Sequence, residues 1–302
     1  MSLNSVNTNI GAQVALQSLN LTNTQLQATQ KQISTGYKVA DATDDGGAFA
    51  VAERVRSDVQ ALTSVNSELG NAKGLVTTAL SGLTDISKSL TTAKGLLAQI
   101  ADSSISQDQR DQYVASYKQV VQQVADYVDG STYNGQTLLG KASGAVAATS
   151  KSVINNESGA TSTLSAEDVS GLANTLATFI GSTFTRTAAG ADTFGAITAG
   201  ADQSSASTAL SATTGATAFS TAQTNLSNQL NQAGGDSNFL DATVSFNSDK
   251  IDSLNAGLGS LVDADLSKES ANLQALQIRQ QLGTQALSLA NQAPQALLSL
   301  FK

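Results

Sequence analysis

The chain has 302 residues, enough for two domains and a sizeable core, and it contains no Cys, no His and no Trp. Without Cys or His, disulfides, thiol chemistry, a structural zinc, a haem site and a Ser-His-Asp or Cys-His catalyst are excluded. Charged residues make up 13% of the chain, against about 25% in an average soluble domain, and the net charge of −8 disfavours non-specific nucleic-acid binding.

The first helix is predicted over residues 3 to about 33, where Ala12, Leu19, Leu26 and Ile33 recur at every seventh position. Gly36, after Ser34 and Thr35, is placed to end it in a left-handed cap. Residues 1–30 carry no Asp, Glu, Lys or Arg, and neither do residues 280–301. A solvated amphipathic helix normally shows a charged face. Here the polar face is Gln, Asn, Ser and Thr, which water satisfies but which also packs closely against a neighbour. No basic segment with an unbroken apolar run precedes a cleavage site, so no cleavable signal peptide is expected. No apolar run approaches the ~20 residues of a membrane span. Two neutral, amphipathic ends need a partner surface. The residues expected on it are Leu3, Val6, Ile10, Val14 and Leu21 at the start, and Leu282, Leu289, Leu297 and Leu300 at the end.

A second helix is predicted from about Thr43 to Ile100. Val55, Leu62, Leu69, Val76, Leu83, Leu90 and Leu97 stand seven apart without a miss and are read as its core face. At 1.5 Å per residue, the stretch 55–97 spans roughly 60 Å, too long for a compact globule of this size and right for a rod. Ser106 to Gln109 has capping-box spacing and starts a third helix, which carries Tyr113, Tyr117, Val121 and Val128. Asp129-Gly130 ends that helix, and Asn134-Gly135 is a turn signal. From Lys141 to about Ser220 the chain turns rich in Ser, Thr and Gly, and helical periodicity fades. One β-hairpin is expected there, with Val153-Ile154 leading into Asn155–Gly159. Helix resumes near Gln223, with Val244, Ile251 and Leu258 seven apart and Leu266, Leu273 and Leu287 beyond them. Pro294 is expected to kink or end the last helix. The fold class is therefore mainly α. Long seven-spaced helices from both chain ends pack as an antiparallel coiled-coil rod, with a small β-hairpin and a loop-rich middle insertion.

Motifs for chemistry are weak. Gly135 to Lys141 matches G-x-x-x-x-G-K, but Ala142 follows where a Mg²⁺-binding hydroxyl is needed, and no strand leads in. It reads as a plain turn. Asp41, Asp44 and Asp45, and Asp263 with Asp265, lack the alternating spacing and terminal Glu of a calcium loop. They read as helix caps or as partners of Arg54, Arg56 or Lys268. No catalytic, cofactor-binding or metal-ligating residue is expected.

Several segments resemble bacterial flagellin. Leu3-Asn4-Ser5-Val6-Asn7-Thr8-Asn9 is similar to the opening of that family. Ile33-Ser34-Thr35-Gly36-Tyr37-Lys38-Val39 and Ala42-Thr43-Asp44-Asp45-Gly46 resemble its bend between the first two helices, and Tyr133-Asn134-Gly135-Gln136-Thr137-Leu138-Leu139 its segment after the third. Val262-Asp263-Ala264-Asp265-Leu266, Leu282-Gly283-Thr284-Gln285-Ala286-Leu287 and Ala290-Asn291-Gln292-Ala293-Pro294-Gln295 resemble its C-terminal pattern.

The resemblance implies a helical filament of many copies of one chain. Residues 1–42 and 263–302 would form the D0-like terminal helices of the filament core. Residues 43–177 and 218–262 would form a D1-like helical rod with the hairpin, and 178–217 a small variable outer segment. It also implies export, uncleaved, through the flagellar secretion apparatus to the extracellular filament, with an export chaperone on the C-terminal arm. Filament cap and hook-junction proteins are further partners. No nucleic acid, membrane or cofactor is implied. The alternative within the same architecture is the hook–filament junction protein, which shares both arms. An adhesive or glycan-bearing role for the Ser/Thr-rich middle is compatible with either reading. The metalloprotease that some flagellins carry in the middle is removed by the absence of His.

Overall fold

The computed structural model describes residues 9–198, 200–212, 215 and 218–300, with side chains described as far as residue 292 in the last helix. Among the described residues there are seven helices: α1 (Ile10–Thr35), α2 (Gly46–Ala101), α3 (Gln107–Gly130), α4 (Leu172–Thr178), α5 (Ala201–Ser211), α6 (Phe219–Val262) and α7 (Leu266–Leu300). Two antiparallel hairpins join β1 (Lys151–Ile154) to β2 (Thr161–Leu164) and β3 (Phe184–Arg186) to β4 (Asp192–Phe194). The chain divides into two compact units, Ala61–Lys250 and Met1–Gln60 with Ile251–Lys302.

In the unit Ala61–Lys250 the seven-residue repeat of α2 lies inward. Leu62, Leu69, Val76, Leu83, Leu90 and Leu97 are all buried, and each such side chain contributes about 1.5–3 kcal/mol relative to an exposed one. Val55, at the head of that repeat, belongs to the other unit and is half-buried. Against this stripe α3 sets Val114, Tyr117, Val121, Val124 and Val128, and α6 sets Leu226, Ala233 and Leu240. An ion pair between Lys73 and Asp241 and a 3.3 Å hydrogen bond from Asn66 Nδ2 to Ser248 Oγ fix α6 antiparallel to α2. The capping box of α3 forms as expected, with both the Ser106 and the Gln109 side chains bonded to backbone. Buried Arg110 ties down the connection before α3 by donating from Nε to the Ile100 carbonyl and from Nη2 to the Asp102 carbonyl.

Small residues on α2 seat the segment that follows α3. A Cβ at Gly74 would stand 2.7 Å from the Tyr133 ring, and one at Gly82 would stand 1.9 Å from Ser131 Oγ. That clearance lets residues 131–139 lie on the helix and bury Leu138 and Leu139. Asn134 (φ 49°) and Gly135 (φ 73°) form the expected turn, closed by two 2.9 Å bonds between Tyr133 and Gln136. Lys141 donates to the Asp129 carbonyl at 3.2 Å, so the glycine–lysine match is a tied-down loop.

The middle of the chain holds more structure than its composition shows. The expected hairpin is β1–β2. The second hairpin and helices α4 and α5 stand where a loop-rich segment was expected. Phe179, Ile180, Phe184 and Phe219 are buried in the same core as α2 and α3, with the Phe179 and Phe219 ring centroids 5.7 Å apart. Tyr117 on α3 donates its hydroxyl to the Leu176 carbonyl at 3.0 Å. Arg186 on β3 is buried among Asp192 (2.6 Å), Asp126 (2.8 Å) and Asp129 (3.2 Å), which pins β3–β4 to α3. The buried guanidinium is thus fully paired, and of its three carboxylates Asp126 keeps its own side chain in water, at 69% exposed.

Glu167, after β2, is 1% exposed and its Oε1 has no hydrogen-bond partner. Burial, reinforced by nearby Asp236 on α6, pushes its pKa up to about 7. The folded state therefore keeps a proton that the unfolded chain has already released above the usual carboxylate range. This contribution to stability is complete below that range and is lost as pH rises through 7. Urea unfolding should show a loss on the order of 2–3 kcal/mol between about pH 5 and pH 8, which Glu167→Gln should flatten. The chain has no His to obscure the window. A wild-type curve as flat as that of the variant would contradict the assignment.

Candidate subunit interface

The unit made from the two chain ends is built around a double bend. Helix α1 stops at Gly36, whose φ of 74° places its N–H on the Gln32 carbonyl. Here the two interhelical breaks bond to each other. The Lys38 N–H donates to the Val262 carbonyl at 2.7 Å, the Ala264 N–H donates to the Gly36 carbonyl at 2.9 Å, and Tyr37 bridges Asp263. Beneath them lies a small core of Val39, Ala52 and Val262, with Phe49, Leu258 and Leu261 packed against it.

The acidic residues do the work of caps, and one cation completes them. Asp45 Oδ1 accepts from the Gly47 and Ala48 N–H groups at the start of α2, and Asp265 Oδ1 accepts from Ser267 and Lys268 at the start of α7. The cationic partner of Asp41 and Asp44 is Lys31, at 2.6 and 2.8 Å. Arg56, expected near this cluster, pairs instead with Glu53 at 2.6 Å while its guanidinium sits 5.9 Å from the Tyr37 ring centroid. The Lys31 ammonium holds both carboxyls below the usual carboxylate range, and they in turn raise Lys31. The stabilisation from these depressed carboxyls is present above their unfolded pKa and is lost as pH falls through the acid range.

From the bend, α1 and α7 run antiparallel. Gln280 Nε2 donates to Asn23 Oδ1 at 2.8 Å, Gly283 faces Leu19, and Asn9 Nδ2 donates to the Ala290 carbonyl at 2.7 Å. Thr29 and Leu276 are buried near the bend. Beyond them two helices alone cannot cover both apolar stripes. Val14 is 57% exposed, Leu21 60%, Leu282 58% and Leu289 72%, and Ile10 is exposed as well. Leu3 and Val6 lie outside the described residues, as do the side chains of Leu297 and Leu300. Leu16, Leu266 and Ile278 are exposed too. Of these, Leu16 lies inside the uncharged stretch that signals the surface, whereas Leu266 and Ile278 lie before the second uncharged stretch begins. Helix α7 continues through Pro294 to Leu300, so the proline does not end it. A helix tolerates the missing N–H when another donor serves the carbonyl it would have bonded.

Such an arrangement defines a self-associating helical protein. Paired chain ends present side chains that are apolar, uncharged and unfilled by the chain itself. Among the described residues no helix is long and apolar enough to cross a membrane.

Residues 6–144 match the bacterial flagellin N-terminal helical region, and residues 216–301 match the bacterial flagellin C-terminal helical region. Flagellin FljK of Caulobacter vibrioides is 34% identical over the whole of both chains. A flagellin of Brucella melitensis is 31% identical over 99% of each chain, and flagellin C of Rhizobium meliloti 30% identical over 99% of this chain and 100% of its own. The chain belongs to the bacterial flagellin family, and it is a structural subunit of the flagellar filament. These matches are all to flagellins, and nothing in them favours a hook-junction protein.

If Val14 and Leu289 serve contacts between copies, Val14→Asp or Leu289→Asp should leave the thermal unfolding of the monomer within a degree or two. Each should abolish seeded elongation, because a carboxylate in a dry contact costs several kcal/mol. Filaments formed normally by both variants would remove these residues from the interface.

Proposed function

We propose that the uncharged ends form the axial core of the filament, with Leu3, Val6, Ile10, Val14, Leu21, Leu282, Leu289, Leu297 and Leu300 facing other copies. The observation that carries this is the exposure of large apolar side chains on α1 and α7 in stretches without a single charged residue. Packing such stretches together buries no ion. Residues 1–42 and 263–302 then act as the D0-like core and residues 43–177 with 218–262 as a D1-like layer, whose inward stripe is Leu62, Leu69, Val76, Leu83, Leu90 and Leu97, with half-buried Val55 at its end. Residues 178–217, anchored in the core of that layer through Phe179, Ile180 and Phe184, form the small outer segment. The role is purely structural.

The same exposed stripe argues for the partners met before assembly. Ile278, Leu282 and Leu289 on the C-terminal arm need covering in the cell, which suits an export chaperone. Passage through the flagellar secretion apparatus without cleavage, followed by contact with cap and hook-junction proteins at the filament ends, completes the reading.

Deletion of residues 1–30, or of 280–302, tests it. Either truncation should abolish elongation from filament seeds while the cooperative helical unfolding of the Ala61–Lys250 unit is retained. Truncated chains that still elongate would overturn the axial role.

A further inference from the structure

The chain contains one proline, Pro294, inside α7. A proline has no backbone N–H, so the Ala290 carbonyl, four residues earlier, loses the donor that every interior helical carbonyl otherwise has. In this structure the Asn9 side chain supplies it, with Nδ2 donating to the Ala290 oxygen at 2.7 Å. The other end of the same amide caps α1, where Asn9 Oδ1 accepts from the Ala12 N–H at 3.1 Å. One side chain thus fills the gap in one helix and starts the other.

We infer that Asn9 and the carbonyl released by Pro294 form a register lock that sets α1 against α7 for assembly. This inference rests on the axial reading above. Its force comes from what the arms lack. Helices paired by charged flanks have their register set by charge complementarity, and neutral stripes of Leu, Val, Gln and Ser do not. A slip of one turn along α7 would bring Asn9 to a carbonyl already bonded within the helix, and would strand the Ala290 oxygen in a half-buried seam. A single polar pair in an otherwise apolar or neutral contact is how helix pairs specify one alignment. The Asn23–Gln280 bond and the seating of Leu19 on Gly283 belong to the same alignment. Asn9 is therefore a positioning residue, acting through the fit of the two arms.

Asn9→Ser separates the two roles, because Ser caps a helix well but is too short to reach across to α7. The critical concentration for seeded elongation of the full-length chain is measured for Asn9→Ser, Pro294→Ala and the double variant. Since the chain has no Cys, an added Ala28→Cys/Ala275→Cys pair, at positions lining one groove between α1 and α7, reports register by its cross-linking yield in filaments. With Pro294 present, Asn9→Ser should raise the critical concentration about tenfold, as expected for one carbonyl left unpaired, and lower the cross-linking yield. In the Pro294→Ala background, where residue 294 regains its N–H, Asn9→Ser should change the critical concentration less than about threefold. Equal effects in both backgrounds, or no effect in either, would overturn the lock. If deleting residues 1–30 leaves elongation intact, the axial reading fails instead. The two failures are thereby distinguishable.

Discussion

Two helices packed side by side can bury only one stripe each, and the rest of this protein's behaviour depends on what the remaining surface is made of. In α1 and α7 that surface is Leu, Val and Ile set among amides and hydroxyls, with no ionisable side chain in residues 1–30 or 280–301. Water solvates the amides well enough for the monomer to exist. A neighbouring copy satisfies them equally well and also removes the apolar area, with about 1.5–3 kcal/mol available per Leu or Val newly buried. Charge on the same helices would oppose that transfer by several kcal/mol per ion. The missing charge is what makes the ends fit for a dry contact.

The bend converts this pair into a defined unit. Gly36 ends α1, Asp45 and Asp265 cap the helices that follow, and the two breaks share backbone bonds through Lys38–Val262 and Ala264–Gly36. Lys31 bridges the Asp41 and Asp44 carboxylates beside the bend. Charge is therefore present where the chain folds back and absent where copies are proposed to meet. In the unit Ala61–Lys250 the reverse division holds. A continuous apolar stripe on α2 is covered by the chain's own α3, α6 and middle segment, and Lys73 and Arg186 pair with Asp241 and Asp192 of the same unit.

Features set by neighbours in the chain were legible from sequence. The repeat of α2, the capping box at Ser106, the turn at Asn134-Gly135, the hairpin after Ile154 and the left-handed stop at Gly36 each follow from a few adjacent residues. Features set by distant partners were not. Arg186 explains β3–β4 only once Asp126, Asp129 and Asp192 surround it, and Phe179 reads as an isolated aromatic until Phe219 packs on it. Gly74 and Gly82 look like weak points in a helix until Tyr133 and Ser131 occupy the space they leave. Pro294 is the sharpest case. Local rules end the helix there, and the donor that lets it continue comes from Asn9, at the opposite end of the chain. The partner of the acidic bend was missed for a related reason, since Lys31 lies on the preceding helix and Arg56 is engaged with Glu53.

Hydroxyl-radical footprinting of Val14, Leu21, Leu282 and Leu289 in monomer and in filament tests the central claim most directly. All four are more than half exposed in the isolated chain. If the neutral ends are the contact between copies, labelling at these four should fall sharply on assembly, while buried Leu83 and Leu90 should be labelled little in either state. Filaments in which the four remain as reactive as in the monomer would contradict the account.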